Sequence, residues 1–176
     1  YTLAAAVATA RAARAAGVDA RIKWPNDVVV PRADGAEAKL AGVLTEMETA
    51  ADRVSWLVVG VGANVNLDAD ALPTGADATS VRAEAGDVPL RAFVTRLLES
   101  FDDLRGDRAA TLAAWRDLSS TLGRRVRVET ARGPVVGEAV DVTGPGALVV
   151  RTATGERTVH VGDCRHLRPS TDSGRE

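Results

Sequence analysis

Lysine is nearly absent from this chain of 176 residues: only Lys23 and Lys39 among its 22 basic side chains are lysines. An ammonium is a compact point charge with three rotatable donors, whereas a guanidinium is a rigid planar fork that does not deprotonate. A pocket shaped around one polarised oxygen accepts the first and rejects the second, so both positions are read as chemical requirements. Cysteine is scarcer still. Cys164 stands alone, which excludes an internal disulfide and points to a reducing compartment. Long apolar runs are missing as well. The opening YTLAAAVATARAARAAGV carries Arg11 and Arg14, falls well short of the ~20 apolar residues that span a bilayer, and lacks a signal-peptide pattern. No membrane partner is expected, and the expected location is the cytoplasm. An initiator Met is absent: the chain starts at Tyr1, directly in a helical pattern, and is expected to lack the N-terminal part of a longer protein.

Charge is unevenly placed. Residues 1–121 carry 13 basic and 17 acidic side chains, and residues 122–169 carry 8 and 5. The basic C-terminal part has no Phe, Tyr or Trp with which to stack bases, so nucleic acid is not the expected partner. Two domains are expected, 1–121 and 122–169, followed by a polar, disordered tail over 170–176.

The first domain reads as α+β. Thr2 is a candidate N-cap for a helix to about Ala16, with Gly17 as the left-handed residue beyond its end. Strand patterns follow at 21–24 and 28–30 around the turn Pro25-Asn26-Asp27, and two longer strands at 39–47 and 54–66 suggest an antiparallel hairpin. After a loop over 68–88, Pro89 opens a helix whose apolar residues recur from Leu90 to Leu104, and Asp107 caps another through Trp115 and Leu118. The aromatic residues of these helices are expected in the core. From Gly123 short alternating runs separated by Gly/Pro turns predict a small barrel of SH3-like type.

Two strands carry the informative chemistry. In the strand 54–66, Gly60, Gly62, Asn64 and Asn66 fall on one face, and paired glycines there suit either a guest or a helix lying close to the backbone. GVGANV is not a dinucleotide loop, because the third glycine and the following helix are missing. In the strand 39–47, Lys39, Ala41, Val43 and Thr45 share one face and Gly42 lies on the other, unless a bulge shifts the register. Asn26 and Asp27 sit in a turn that must be near if these strands pair. Ammonium, carboxylate and amide together suit a nucleotide or a carboxyl group undergoing activation, and Asp27 is a candidate Mg²⁺ ligand beside phosphates and water.

KWPNDVVV from Lys23, KLAGVLTEME from Lys39 and VVGVGANVNL, in this order, with the later DATS and the terminal HLRP, closely resemble the biotin protein ligase family over about residues 1–169. The resemblance implies a catalytic core like that of class II aminoacyl-tRNA synthetases, with a C-terminal SH3-like domain. It implies a cytoplasmic ligase that joins biotin and ATP, with Mg²⁺, into biotinoyl-5′-AMP and passes the biotinoyl group to a lysine of a biotin carboxyl carrier domain. Lys39 matches the catalytic lysine. Gly42 and Val43 match part of the biotin wall, while Lys23, Asn26, Asp27, Asn64 and Arg168 match the nucleotide side. The family's Gly/Arg-rich loop normally precedes the helix that opens this chain. No helix-turn-helix is present, so DNA is not an expected partner, and the sheet edge leaves a homodimer open. The alternatives are a non-catalytic biotin- or adenylate-binding relic, a lipoate or octanoyl transferase on the related fold, and a binding module whose barrel recruits a partner.

Overall fold

Helix α1 (Thr2–Ala15) is built from alanine, and its small side chains let it lie close against its neighbours: nine of its 14 residues are buried. Its N-cap is Tyr1, without a side-chain cap, and not Thr2 as expected. The Thr2 hydroxyl instead meets that of Thr45 at 2.7 Å, tying the helix start to the sheet. Gly17, at φ 93, takes the left-handed conformation that a side chain resists. The chain is described by a computed structural model over residues 1–50, 53–72 and 77–167.

Four antiparallel strands follow, β1 (Arg21–Lys23), β2 (Asp27–Pro31), β3 (Glu37–Ala50) and β4 (Arg53–Ala63), in the spatial order β1-β2-β3-β4. The hairpin of β3 and β4 is as expected, but β4 ends at Ala63, short of Asn64 and Asn66. The Asn66 amide bonds both backbone groups of Val88 (2.8 and 3.2 Å), so it fastens a loop instead of facing a guest. Within the segment expected to be loop, Ser80 caps a short helix α2 (Val81–Ala85) by accepting from the Ala83 amide. Period-based reading overlooks an element of five residues.

Helices α3 (Leu90–Leu104) and α4 (Arg108–Leu118) both pack on α1, and α4 is capped by Asp107 as expected. Trp24 and Trp115 are fully buried; truncating such a side chain to Ala costs about 3–5 kcal/mol. Thr45 meets α1, whereas Leu44 on the opposite pleat is 63% exposed. One face of the sheet is therefore covered by helix and the other is open.

Chain contacts divide the molecule into Tyr1–Ser119 and Ser120–Glu176. The second unit is a five-stranded antiparallel sheet in the order β8-β7-β6-β5-β9, from β5 (Arg125–Glu129), β6 (Val135–Val142), β7 (Leu148–Thr152), β8 (Gly155–Val159) and β9 (Asp163–His166). The last strand, DCRH, carries no apolar alternation. The described strand pairing ends at β8 and β9, and Cys164 is buried in β9 without a disulfide. Arg168 and the tail 170–176 lie outside the described residues. Among the described residues, no helix is long and apolar enough to cross a membrane.

Candidate active site on the open face of the sheet

The turn Trp24-Pro25-Asn26 joins β1 to β2 and contains a cis Trp24–Pro25 bond. It is anchored to β3 twice: the Val43 amide donates to the Asn26 carbonyl at 2.9 Å, and Asn26 Nδ2 donates to the Val43 carbonyl at 2.8 Å. Strand register then places Lys23 opposite Asp27, Asp27 opposite Gly42, and Gly42 opposite Gly62. Directly opposed residues share a face, so these four form a row across the whole sheet, charged at one end and bare of side chains at the other.

Lys39 joins this row through a bulge. Val28 pairs with Ala41 while the next residue, Val29, pairs with Lys39, which leaves Leu40 as the extra residue of β3. A bulge re-aims side chains. Lys39 consequently reaches the face of Gly42 and Asp27, away from Ala41 and Val43, which are buried. Lys39 Nζ lies 2.6 Å from Asp27 Oδ1, with the lysine side chain 52% and the aspartate 28% exposed. Pairs this exposed contribute about 0–1 kcal/mol, so the pair matters for where it holds the charge. Gly42 makes that approach possible: a Cβ there would sit 3.2 Å from Lys39 Nζ and 3.5 Å from Asp27 Oδ1.

A strap consisting of residues 77–80 fixes the Lys39 backbone. The Lys39 amide donates to the Asp77 carbonyl at 2.6 Å, and the Thr79 amide donates to the Lys39 carbonyl at 2.9 Å. Asn64 secures the same strap, its amide Nδ2 donating to the Thr79 carbonyl at 3.0 Å and its backbone N–H to the Leu40 carbonyl at 2.9 Å. The Thr79 hydroxyl donates to Glu84, which also receives Arg32 at 2.7 and 3.1 Å. Burial pushes the Glu84 carboxyl up, but the hydrogen bonds from Arg32 and Thr79 outweigh it and hold the group below its ordinary range.

The structure thus brings together Lys39, Asp27, Gly42 and Lys23, and Lys23 makes no ion pair or side-chain hydrogen bond with a described residue. Three other expected site residues stand differently. The Val43 side chain is 1% exposed and turned from this face, because the bulge separates it from Lys39. Asn26 and Asn64 spend their amide donors on backbone carbonyls, holding the turn and the strap. The strap itself was missed as a positioning element. Its legible signal was DATS followed by a helix cap. Among the described residues, no group of three His, Cys, Asp or Glu side chains forms a metal site. Among the described residues, Asp27 is the carboxylate that would hold a Mg²⁺ on this face, with phosphates and water supplying further ligands.

Comparison with known proteins agrees along most of the chain. Residues 1–64 match the Biotin/lipoate A/B protein ligase family and residues 121–167 the Biotin protein ligase C terminal domain. Two proteins named bifunctional ligase/repressor BirA, from Bacillus spizizenii strain W23 and Bacillus subtilis strain 168, are 32% identical over 92% of this chain and 51% of their own. The chain spans about half the length of the curated relatives it matches. That name includes a repressor, so these relatives do not support the expectation that DNA is no partner. Among solved structures, the biotin protein ligase of Aquifex aeolicus shares the fold with a TM-score of 0.74 at 21% identity, covering 96% of this chain and 74% of that one. The same ligase in complex with biotin and ATP gives 0.71 at 22%, covering 96% and 71%. A biotin/lipoate ligase match followed by a biotin protein ligase C-terminal match on a single chain, with about a third of residues identical to the Bacillus relatives across nearly all of it, places this chain in the biotin protein ligase family.

Proposed function

We propose that this chain supplies the Lys39 half of an ATP-dependent biotin ligase site. In the first step a biotin carboxylate oxygen attacks the α-phosphorus of ATP, forming biotinoyl-5′-AMP and releasing pyrophosphate. In the second, a carrier lysine amine attacks the acyl carbon, forming the amide and releasing AMP. Both steps build negative charge on oxygens beside the acyl–phosphate junction. The Lys39 ammonium, steered by Asp27, would bridge the biotin carboxyl and the α-phosphate, and a preorganised donor of this kind is worth roughly 10²–10³ in rate. Lys23 would reach the nucleotide phosphates from the next strand. Gly42 and Gly62 leave a floor on which the ligand meets backbone, with Val43 supporting it from behind. Mg²⁺, when bound, would screen the phosphate charge with Asp27 as its protein ligand.

The observation that carries this reading is the Lys39–Asp27 contact of 2.6 Å beside a glycine. A guanidinium is longer and planar, so Lys39→Arg is expected to be a poor substitute and to lose activity about as fully as Lys39→Ala. The test supplies biotin, MgATP and a purified carrier domain to the chain, alone and together with the N-terminal half of the Bacillus subtilis relative. Carrier mass gain and biotin-dependent pyrophosphate exchange are the readouts. Absence of both in both mixtures refutes the ligase reading and leaves a binding relic. Because the matched family also covers lipoate, parallel reactions with lipoate and octanoate decide the acid: labelling with those and not with biotin refutes the biotin assignment.

A further inference from the structure

On the helical side of the first unit, away from Lys39, the three long helices enclose a groove. Helix α1 forms its floor with Arg11 and Arg14, one turn apart; α3 contributes Arg96, and α4 contributes Asp117, around a cavity of about 510 Å³. A second cavity of about 200 Å³ shares Ala15 and Arg96 with the first and is lined by apolar groups, including Ala12, Val88, Pro89 and Phe93. The two form one surface with a cationic compartment and an apolar slot, joined at Arg96.

The cations of this groove are incompletely neutralised. Arg14 is committed to Asp19 at 2.6 Å, but Arg11 reaches only the Ser100 hydroxyl, at 3.5 Å. Arg96 has no ion pair or side-chain hydrogen bond with a described residue. Elsewhere in this unit Arg32 is paired with Glu84, Arg82 with Asp68 and Asp87, and Arg105 with Asp102, whereas Arg91 and Arg108, like Arg96, have no ion pair with a described residue. What sets Arg11 and Arg96 apart is their position, on two different helices around one groove and beside an apolar slot.

We propose that this groove docks an acidic segment of a partner protein, its carboxylates on Arg11 and Arg96 and one apolar side chain in the slot over Ala12 and Phe93. Guanidinium forks match carboxylates geometrically. The cations stand on separate helices beside an apolar recess, and an extended acidic segment satisfies both compartments. A compact anion would engage the first and leave the second in water. A nucleic acid fits less well, because Phe93, the aromatic ring of the slot, is 6% exposed and offers no face on which a base could stack.

The test is fluorescence anisotropy with the whole chain and a short labelled peptide of Glu and Asp carrying one central Leu, at about 50 and about 200 mM salt. Binding that weakens with salt, falls at least about tenfold in the doubly reversed Arg11→Glu, Arg96→Glu chain, and weakens when the peptide Leu becomes Ser is the expected result. Both arginines are exposed, so an unchanged melting curve will show that the variant is folded. Binding unaffected by the reversal overturns the proposal, as does no binding to the original chain. Displacement by tripolyphosphate at equal charge, or tighter binding of a single-stranded oligonucleotide, overturns it in favour of a general anion site.

Discussion

Substituting Gly42 by Ala separates positioning of Lys39 from stability more cleanly than removing Lys39 itself. The added methyl would lie 3.2 Å from Nζ and 3.3 Å from Cε of Lys39, and 3.5 Å from Asp27 Oδ1. Contacts near 3.2 Å are a few tenths of an ångström too close. The atoms that must yield are the far end of a half-exposed lysine, which moves at little cost. The fold is therefore expected to be indifferent or to gain a few tenths of a kcal/mol, since Ala restricts the unfolded chain more than Gly does, an effect of about 0.4–1 kcal/mol at compatible sites. The displaced ammonium, in contrast, no longer sits where charge builds. A 1 Å error in such geometry costs about 10²-fold, so a shift of a few tenths is expected to cost roughly 3- to 10-fold in carrier labelling. Biotin-dependent pyrophosphate exchange and thermal melting on the same sample provide the two readings. Full activity in Gly42→Ala would refute the positioning argument, and so would a loss of melting temperature large enough to account for the loss of activity.

The remaining expectations concern stability. Glu84→Gln is expected to destabilise by about 1 kcal/mol, discounted because Arg32 is 40% exposed. Since the Glu84 carboxyl is held below its ordinary 4.5, that contribution is fully present above this pH and fades as pH falls through the lowered value; denaturant melts in which the difference grows on acidification would contradict it. Trp115→Phe is expected to cost about 1–2 kcal/mol less than the 3–5 kcal/mol of Trp115→Ala, because the buried indole N–H has no described partner and phenylalanine removes an unmet donor while keeping most of the volume. Gly137→Ala is expected to be the most damaging single methyl in the second unit, costing about 3 kcal/mol or more, since its Cβ would fall 2.2 Å from the Arg151 carbonyl oxygen of the paired strand; a melt unchanged in this variant would exclude that close approach.

Much of the candidate site was legible because its residues are unusual for their surroundings. Two lysines among arginines, a Pro-Asn-Asp turn and glycines at alternate positions each mark a local departure from what packing requires. Asp107, Gly17 and the apolar residues from Leu90 to Leu104 likewise announced helix ends and a helix face, because capping and amphipathic periodicity are properties of short segments. Asn64 and Asn66 were less legible. An amide can serve a ligand or a loop equally well, and only the positions of Thr79 and Val88, distant in sequence, show where the Nδ2 donors of Asn64 and Asn66 go.

The sequence by itself determined which groups are available: Lys39, Asp27 and Gly42, strands to carry them, and a basic C-terminal stretch from residue 122. Only the tertiary structure decided which way they face. Alternation along a strand defines a face while the pairing is unbroken, and the extra residue at Leu40 breaks it, parting Lys39 from Val43 and setting it beside Gly42. The row Lys23, Asp27, Gly42 and Gly62 exists only across four strands in register, and the strap at 77–80 reaches Lys39 only through backbone hydrogen bonds that no side-chain pattern records. Composition is a property of the chain, whereas register, bulges and backbone partners arise from contacts between segments far apart in it.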